Sequence, residues 1–139
     1  MRPPDEVLRE LVEDWVRKAD LDYRAAERLM QDQDRLREII AFHCQQAVEK
    51  YLKAFLVRRQ IEFPKTHNIR QLLKLVARVS PHMAGLLKDA AGLTPYGVDV
   101  RYPGDLPEVL PGQEDHLFQW ACHVKDTVMA QLEPYLSGG

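Results

Sequence analysis

His43, Gln46, Lys50 and Lys53 carry the chemistry this sequence offers most openly. At about 100° per residue they share one stripe of a helix, within roughly 80° of arc. Two ammonium groups, an amide and an imidazole in one row suit a phosphate chain, with each lysine acting as a point charge. Two other readings use the same residues. A solvated helix face has this pattern too, with Glu49 and Lys53 paired one turn apart. So does a homodimer contact, because Ile39 and Val57 extend the row with apolar ends.

Further along, His67 stands between Thr66 and Asn68 at the start of a helix. There it can meet an anion at the helix N-terminus or simply help to cap the turn. Arg101-Tyr102-Pro103 lies in a long loop. Arg101 suits a phosphate, and Tyr96 and Tyr102 suit a base. Alternatively, Arg101 closes an ion pair with Asp99, Asp105 or Glu108 and stiffens the loop. His116 and His123 share a face of the last helix with Asp126 and Thr127 nearby; surface histidines are the simpler reading than a general base. Cys44 follows His43 and Cys122 precedes His123. Helical neighbours point about 100° apart and cannot easily chelate one ion, so the reading is two reduced, buried thiols and no metal site.

These residues need a frame. A chain of 139 residues, 45% of them hydrophobic, is one domain by size with a real core. Its net charge of −2 does not provide the basic surface that broad nucleic-acid binding needs, so a nucleic-acid partner is not supported by charge. No apolar run reaches the ~18 residues of a membrane span. No apolar h-region follows Met1, and the expected location is the cytoplasm.

Apolar residues recur at helical spacing in five places. Leu8, Leu11, Val12, Trp15, Ala19, Tyr23, Ala26 and Met30 predict a helix over 5–30. Ile40, Cys44, Ala47, Tyr51 and Phe55 predict a second over 35–59, ended before Pro64. Ile69, Leu72, Leu73, Val76 and Val79 predict a third, capped by Thr66 or Asn68. Ser80-Pro81 opens a fourth over 81–91, with Leu86, Leu87 and Ala90 inward. Leu117, Trp120, Ala121, Val124, Val128 and Leu132 predict the last over 113–135, with Glu114 and Asp115 at its positive end. Between Thr94 and Gly112, prolines and glycines forbid a long regular element. The expected fold is all-α: an antiparallel up-and-down bundle of four to five helices, with a long Pro/Gly-rich loop before the last.

The run Phe42-His43-Cys44-Gln45-Gln46-Ala47-Val48-Glu49-Lys50-Tyr51-Leu52-Lys53-Ala54-Phe55-Leu56, with Phe63-Pro64-Lys65-Thr66-His67-Asn68-Ile69 and Arg101-Tyr102-Pro103, resembles the HEPN domain family. The resemblance covers most of the chain, and its central run is the specific part. It implies the same helical bundle, read as a single domain over 1–139, and a homodimer. It further implies a nucleotide-binding or regulatory module acting with a separate minimal nucleotidyltransferase, as in a toxin–antitoxin-type pair. ATP or another nucleotide is the implied ligand, and no cofactor is required. The nucleotide candidates are His43, Gln46, Lys50, Lys53, His67, Arg101 and Tyr102. Many relatives are metal-independent ribonucleases with an Arg-x4–6-His motif at the start of the last helix. After Arg101 those positions hold Leu106, Pro107 and Glu108, so the motif is missing there and a non-catalytic protein is the preferred reading. Arg37 and His43 match the spacing formally but point about 240° apart on one helix. A ribonuclease with a degenerate site and a pure assembly module are the alternatives.

Overall fold

One helix is buried around most of its circumference, with four other elements packed against it. The computed structural model describes residues 4–97 and 107–138. Among the described residues, all regular structure is helical. The elements are α1 (Asp5–Met30), α2 (Arg37–Arg58), α3 (Ile69–Ala77), α4 (Pro81–Leu86), a 3₁₀ segment (Lys88–Gly97) and α5 (Gln113–Leu136). The all-α bundle expected from the spacing is therefore present.

Local chemistry sets the boundaries. Asn68 caps α3, its Oδ1 accepting from the Gln71 amide at 3.1 Å. Ser80 caps α4 through Met83 N at 3.2 Å, and Pro81 follows at the first helical position, where no N–H is needed. The fourth helix is shorter than its periodicity predicts. Beyond Leu86 the chain tightens into 3₁₀ turns that take in Gly92 and Pro95. That change of pitch turns Leu87 and Ala90 into the core and leaves Leu86 49% exposed, against its predicted inward place. Leu11, predicted on the α1 stripe, is also exposed; the buried stripe there runs through Leu8, Val12, Val16, Ala19, Tyr23 and Ala26.

The larger difference concerns α2. It packs against α1, α3, the 3₁₀ segment and α5. Thirteen of its 22 residues are buried, and between its ends a narrow strip through Ile39, Phe42, His43, Gln46 and Lys50 keeps contact with water. Ile40, Cys44, Ala47, Tyr51 and Phe55 point into the core as predicted. The opposite face is covered as well: Gln45, Glu49 and Lys53 are buried. Tyr51 donates its hydroxyl to the Asp20 carboxylate of α1. Burial first, and that carboxylate second, hold the Tyr51 phenol well above its ordinary range. At the far end, the Arg58 guanidinium lies over the Tyr135 ring, 4.0 Å from its centroid, joining α2 to α5.

The two thiols differ. Cys44 is fully buried, and burial pushes its pKa from an ordinary 9.0 up to about 12. Cys122 is half-buried. A thiol-reactive probe should therefore label one cysteine per native chain quickly and the second only after unfolding. Mass mapping of the labelled peptide should find Cys122. Because the folded pKa of Cys44 is raised, the stability it contributes is intact below pH 9 and lost as pH climbs through about 12.

Candidate functional site

Two carboxylates, neither among the residues that spacing singled out as ligand contacts, organise the polar face of α2. The first is Asp22, in the second half of α1. Its Oδ1 lies 2.9 Å from His43 Nδ1, and its Oδ2 accepts from Lys50 Nζ at 2.6 Å. His43 and Lys50 are two helical turns apart on α2, so one carboxylate bridges them from the neighbouring helix. The side chains keep 27% and 22% exposure, so both can still meet a solute.

The second carboxylate is Glu49, on α2 itself. Its Oε2 accepts from Lys53 Nζ at 3.0 Å. Its Oε1 lies 2.8 Å from His67 Nδ1 and accepts from Gln45 Nε2 at 3.2 Å. The Glu49 and Lys53 side chains are only 4% and 7% exposed. Lys53 Nζ also sits 5.4 Å from the centroid of the Trp15 ring and 5.7 Å from that of Phe63, which cover it. A buried charge pair of this kind persists only where its hydrogen bonds are nearly complete. Gln45 completes this one: its amide also donates to the His67 carbonyl at 3.0 Å and accepts from Gln46 Nε2 at 2.7 Å. Gln46, predicted to face a ligand, thus donates inward.

His67 is the open end of this network, with its side chain 58% exposed. Facing an ionised carboxylate, its Nδ1 must carry the proton. That leaves Nε2 as the acceptor in the neutral ring.

The structure therefore separates the candidates into two groups. His43 and Lys50 gather on Asp22, while Lys53 and His67 gather on Glu49, with Gln46 joined to the second group through Gln45. Each lysine already faces a carboxylate, so a phosphate at either group must compete for its cation. Arg101 and Tyr102 lie outside the described residues. The flanks of their segment are held, however. Gly97 packs directly on the Gln45 amide. Tyr96 accepts from Gln113 Nε2 at 3.2 Å, and the Val109 carbonyl accepts from Arg37 Nε at 2.9 Å. Tyr96 is buried, which removes it as a stacking platform for a base. Arg35 contacts Glu114 and Asp115 at the start of α5. Arg37 and His43 indeed turn apart, one to Val109 and the other to Asp22. Among the described residues, no group of three or more His, Cys, Asp or Glu is placed to hold a metal ion.

A family model for the HEPN domain matches residues 12–120. The chain belongs to the HEPN domain family. No curated protein and no solved structure matches it. The matched span of this HEPN domain contains Asp22, all of α2 with Gln45 and Glu49, and His67. It also takes in Arg101 and Tyr102.

Asp22 and Gln45 are the residues that sequence reasoning missed. Asp22 gives no local signal, since only the register of α1 on α2 brings it to His43 and Lys50. Gln45 does give one. It lies on the helical line of Ala41, Val48 and Leu52, all buried, so an amide there must be hydrogen-bonded inside the protein.

Proposed function

We propose that this HEPN domain is a nucleotide-binding regulatory module that works with a separate minimal nucleotidyltransferase, in the manner of a toxin–antitoxin pair. One observation carries the reading: half-exposed His43 and Lys50 lie on the same helix as the buried Gln45–Glu49 network that packs beneath Gly97. A row of buried polar groups is costly to keep in a helix that apolar residues would fill more cheaply. Here it sets the orientation of His67 and the point from which the Arg101-Tyr102 segment departs. In this reading Lys50 and His43 exchange Asp22 for phosphate oxygens, Arg101 takes a second phosphate, and Tyr102 stacks on the base. The domain acts as a homodimer and needs no cofactor.

Calorimetric titration with ATP and Mg²⁺ tests it. Saturable binding is expected. Lys50→Ala and Arg101→Ala should each weaken it by roughly tenfold to a hundredfold, the equivalent of about 1.5–3 kcal/mol for a charged hydrogen bond. Asp22→Asn should act in the opposite direction and tighten binding, because it frees the Lys50 ammonium and the His43 imidazole from the carboxylate. The same variant should cost about 1–2 kcal/mol in denaturant unfolding, between the values for surface and buried pairs. A flat trace with folded protein would overturn the nucleotide reading.

A second reading rests on the Glu49–His67 pair. A carboxylate that fixes Nδ1–H and leaves Nε2 open is how an imidazole is prepared as a general base. A ribonuclease with a composite site would then lose cleavage of a defined RNA in His67→Ala with the fold intact. Absence of cleavage by the wild-type protein removes this reading.

A further inference from the structure

Among the described residues, Lys50 and Lys53, both predicted to bind a ligand, are already engaged by carboxylates, and a different set of cations is not. From Phe63 to Lys88 the chain carries Lys65, Arg70, Lys74, Arg78 and Lys88 and no Asp or Glu, although the net charge of the whole is −2. Among the described residues, none of these five has a carboxylate within ion-pair distance. Arg70 and Lys74 stand one turn apart on α3, and all five cations are exposed.

Three of them border a groove of about 490 Å³ between α3, α4 and the 3₁₀ segment. Leu73 and Ala77 from α3, Ala84 from α4 and Ala91 from the 3₁₀ segment give it an apolar lining. Arg70 and Lys74 stand on the α3 side, and Lys88 with Asp89 on the 3₁₀ side. Gly85 leaves one wall open: a Cβ there would meet nothing within 4 Å.

We propose that this groove docks an acidic amphipathic helix of a protein partner. Small apolar residues at its base let a helix approach closely, and cations on both sides would meet carboxylates flanking the partner's apolar stripe. Single-stranded nucleic acid fits less well, because none of the lining residues is aromatic and bases would find no platform to stack on. Duplex nucleic acid would need a wider basic footprint than this one groove. None of the lining residues is a nucleotide candidate, so failure of ATP binding leaves this proposal standing.

The test uses the intact protein and a fluorescein-labelled designed peptide of about 18 residues, or five turns, with leucines on one helical face and glutamates beside them. Fluorescence anisotropy should show saturable binding that weakens as salt rises. Amide shifts on titration should centre on Leu73, Ala77, Gly85 and Ala91. Arg70→Glu with Lys74→Glu should weaken binding at least about tenfold, as expected when charges across an interface are reversed. Gly85→Trp should abolish it by filling the groove. Both variants change exposed positions, and circular dichroism should report an unchanged fold. Four results would overturn the proposal: no saturable binding, equal binding of the lysine counterpart of the peptide, tighter binding of an oligonucleotide at the same residues, or self-association of the wild type that Gly85→Trp abolishes.

Discussion

Glu49→Ala should lower the stability of this domain by about 3–5 kcal/mol, the cost of leaving one member of a buried charge pair alone. Three donors lose their acceptor at once. Lys53 remains 7% exposed beneath Trp15 and Phe63, with no anion to offset its desolvation. Gln45 keeps only the His67 carbonyl for its amide N–H groups, and His67 is released from the network. For a domain of this size the loss corresponds to a fall in Tm of roughly 10–20 °C. Glu49→Gln preserves the shape of the side chain but not its charge, and it should still cost most of that amount. The decisive variant is the double change Glu49→Gln with Lys53→Met. It removes both charges and should recover much of the stability, because the pair is expensive to break but not expensive to replace. Denaturant unfolding of the three variants measures this. If Glu49→Gln alone were as stable as the wild type, the charge pair would not be holding α2 in place.

The same residues mark what a sequence of this kind discloses. Helix limits were legible because they depend on local chemistry: Asn68 and Ser80 as caps, Pro81 at a first position, and Pro64 after the end of α2. The core face of α2 was legible too, since Ile40, Cys44, Ala47, Tyr51 and Phe55 recur at the period of a helix. The burial of its other face was not. That depends on α1 lying along α2 in a register that places Asp22 against residues 21 and 28 positions away. It depends also on Trp15 and Phe63 closing over Lys53. Periodicity on a single helix sees only that helix, so a row of Lys, His and Gln reads as a binding stripe whether water or a carboxylate faces it. Lys50 and Lys53 were visible as charges, but their partners were not. The exposed cations of α3 look no different in sequence, and only the fold distinguishes the two sets.

Gly97→Ala is expected to be nearly as damaging as the loss of Glu49, although it adds a single methyl group. A Cβ at this position would stand 2.0 Å from Cδ and Oε1 of Gln45 and 2.4 Å from Nε2. A flexible side-chain end can usually retreat from such a contact at small cost. This one cannot, because Gln45 is fully buried and its amide is held by Glu49, the His67 carbonyl and Gln46. Retreat would break hydrogen bonds worth about 1 kcal/mol each, more where the carboxylate is involved. Overpacking without retreat costs about 1–3 kcal/mol. Either way, a loss near 3 kcal/mol is expected in denaturant unfolding. The cause can be isolated in a double-mutant cycle. Gln45→Ala is itself destabilising, because it leaves its partners unpaired, but in that background Gly97→Ala should cost less than about 1 kcal/mol. Additive losses would mean that the glycine is needed for some reason other than the approach of Gln45. A coupled result would tie the point from which the Arg101-Tyr102 segment leaves the 3₁₀ turn to the amide that also carries Glu49 and His67.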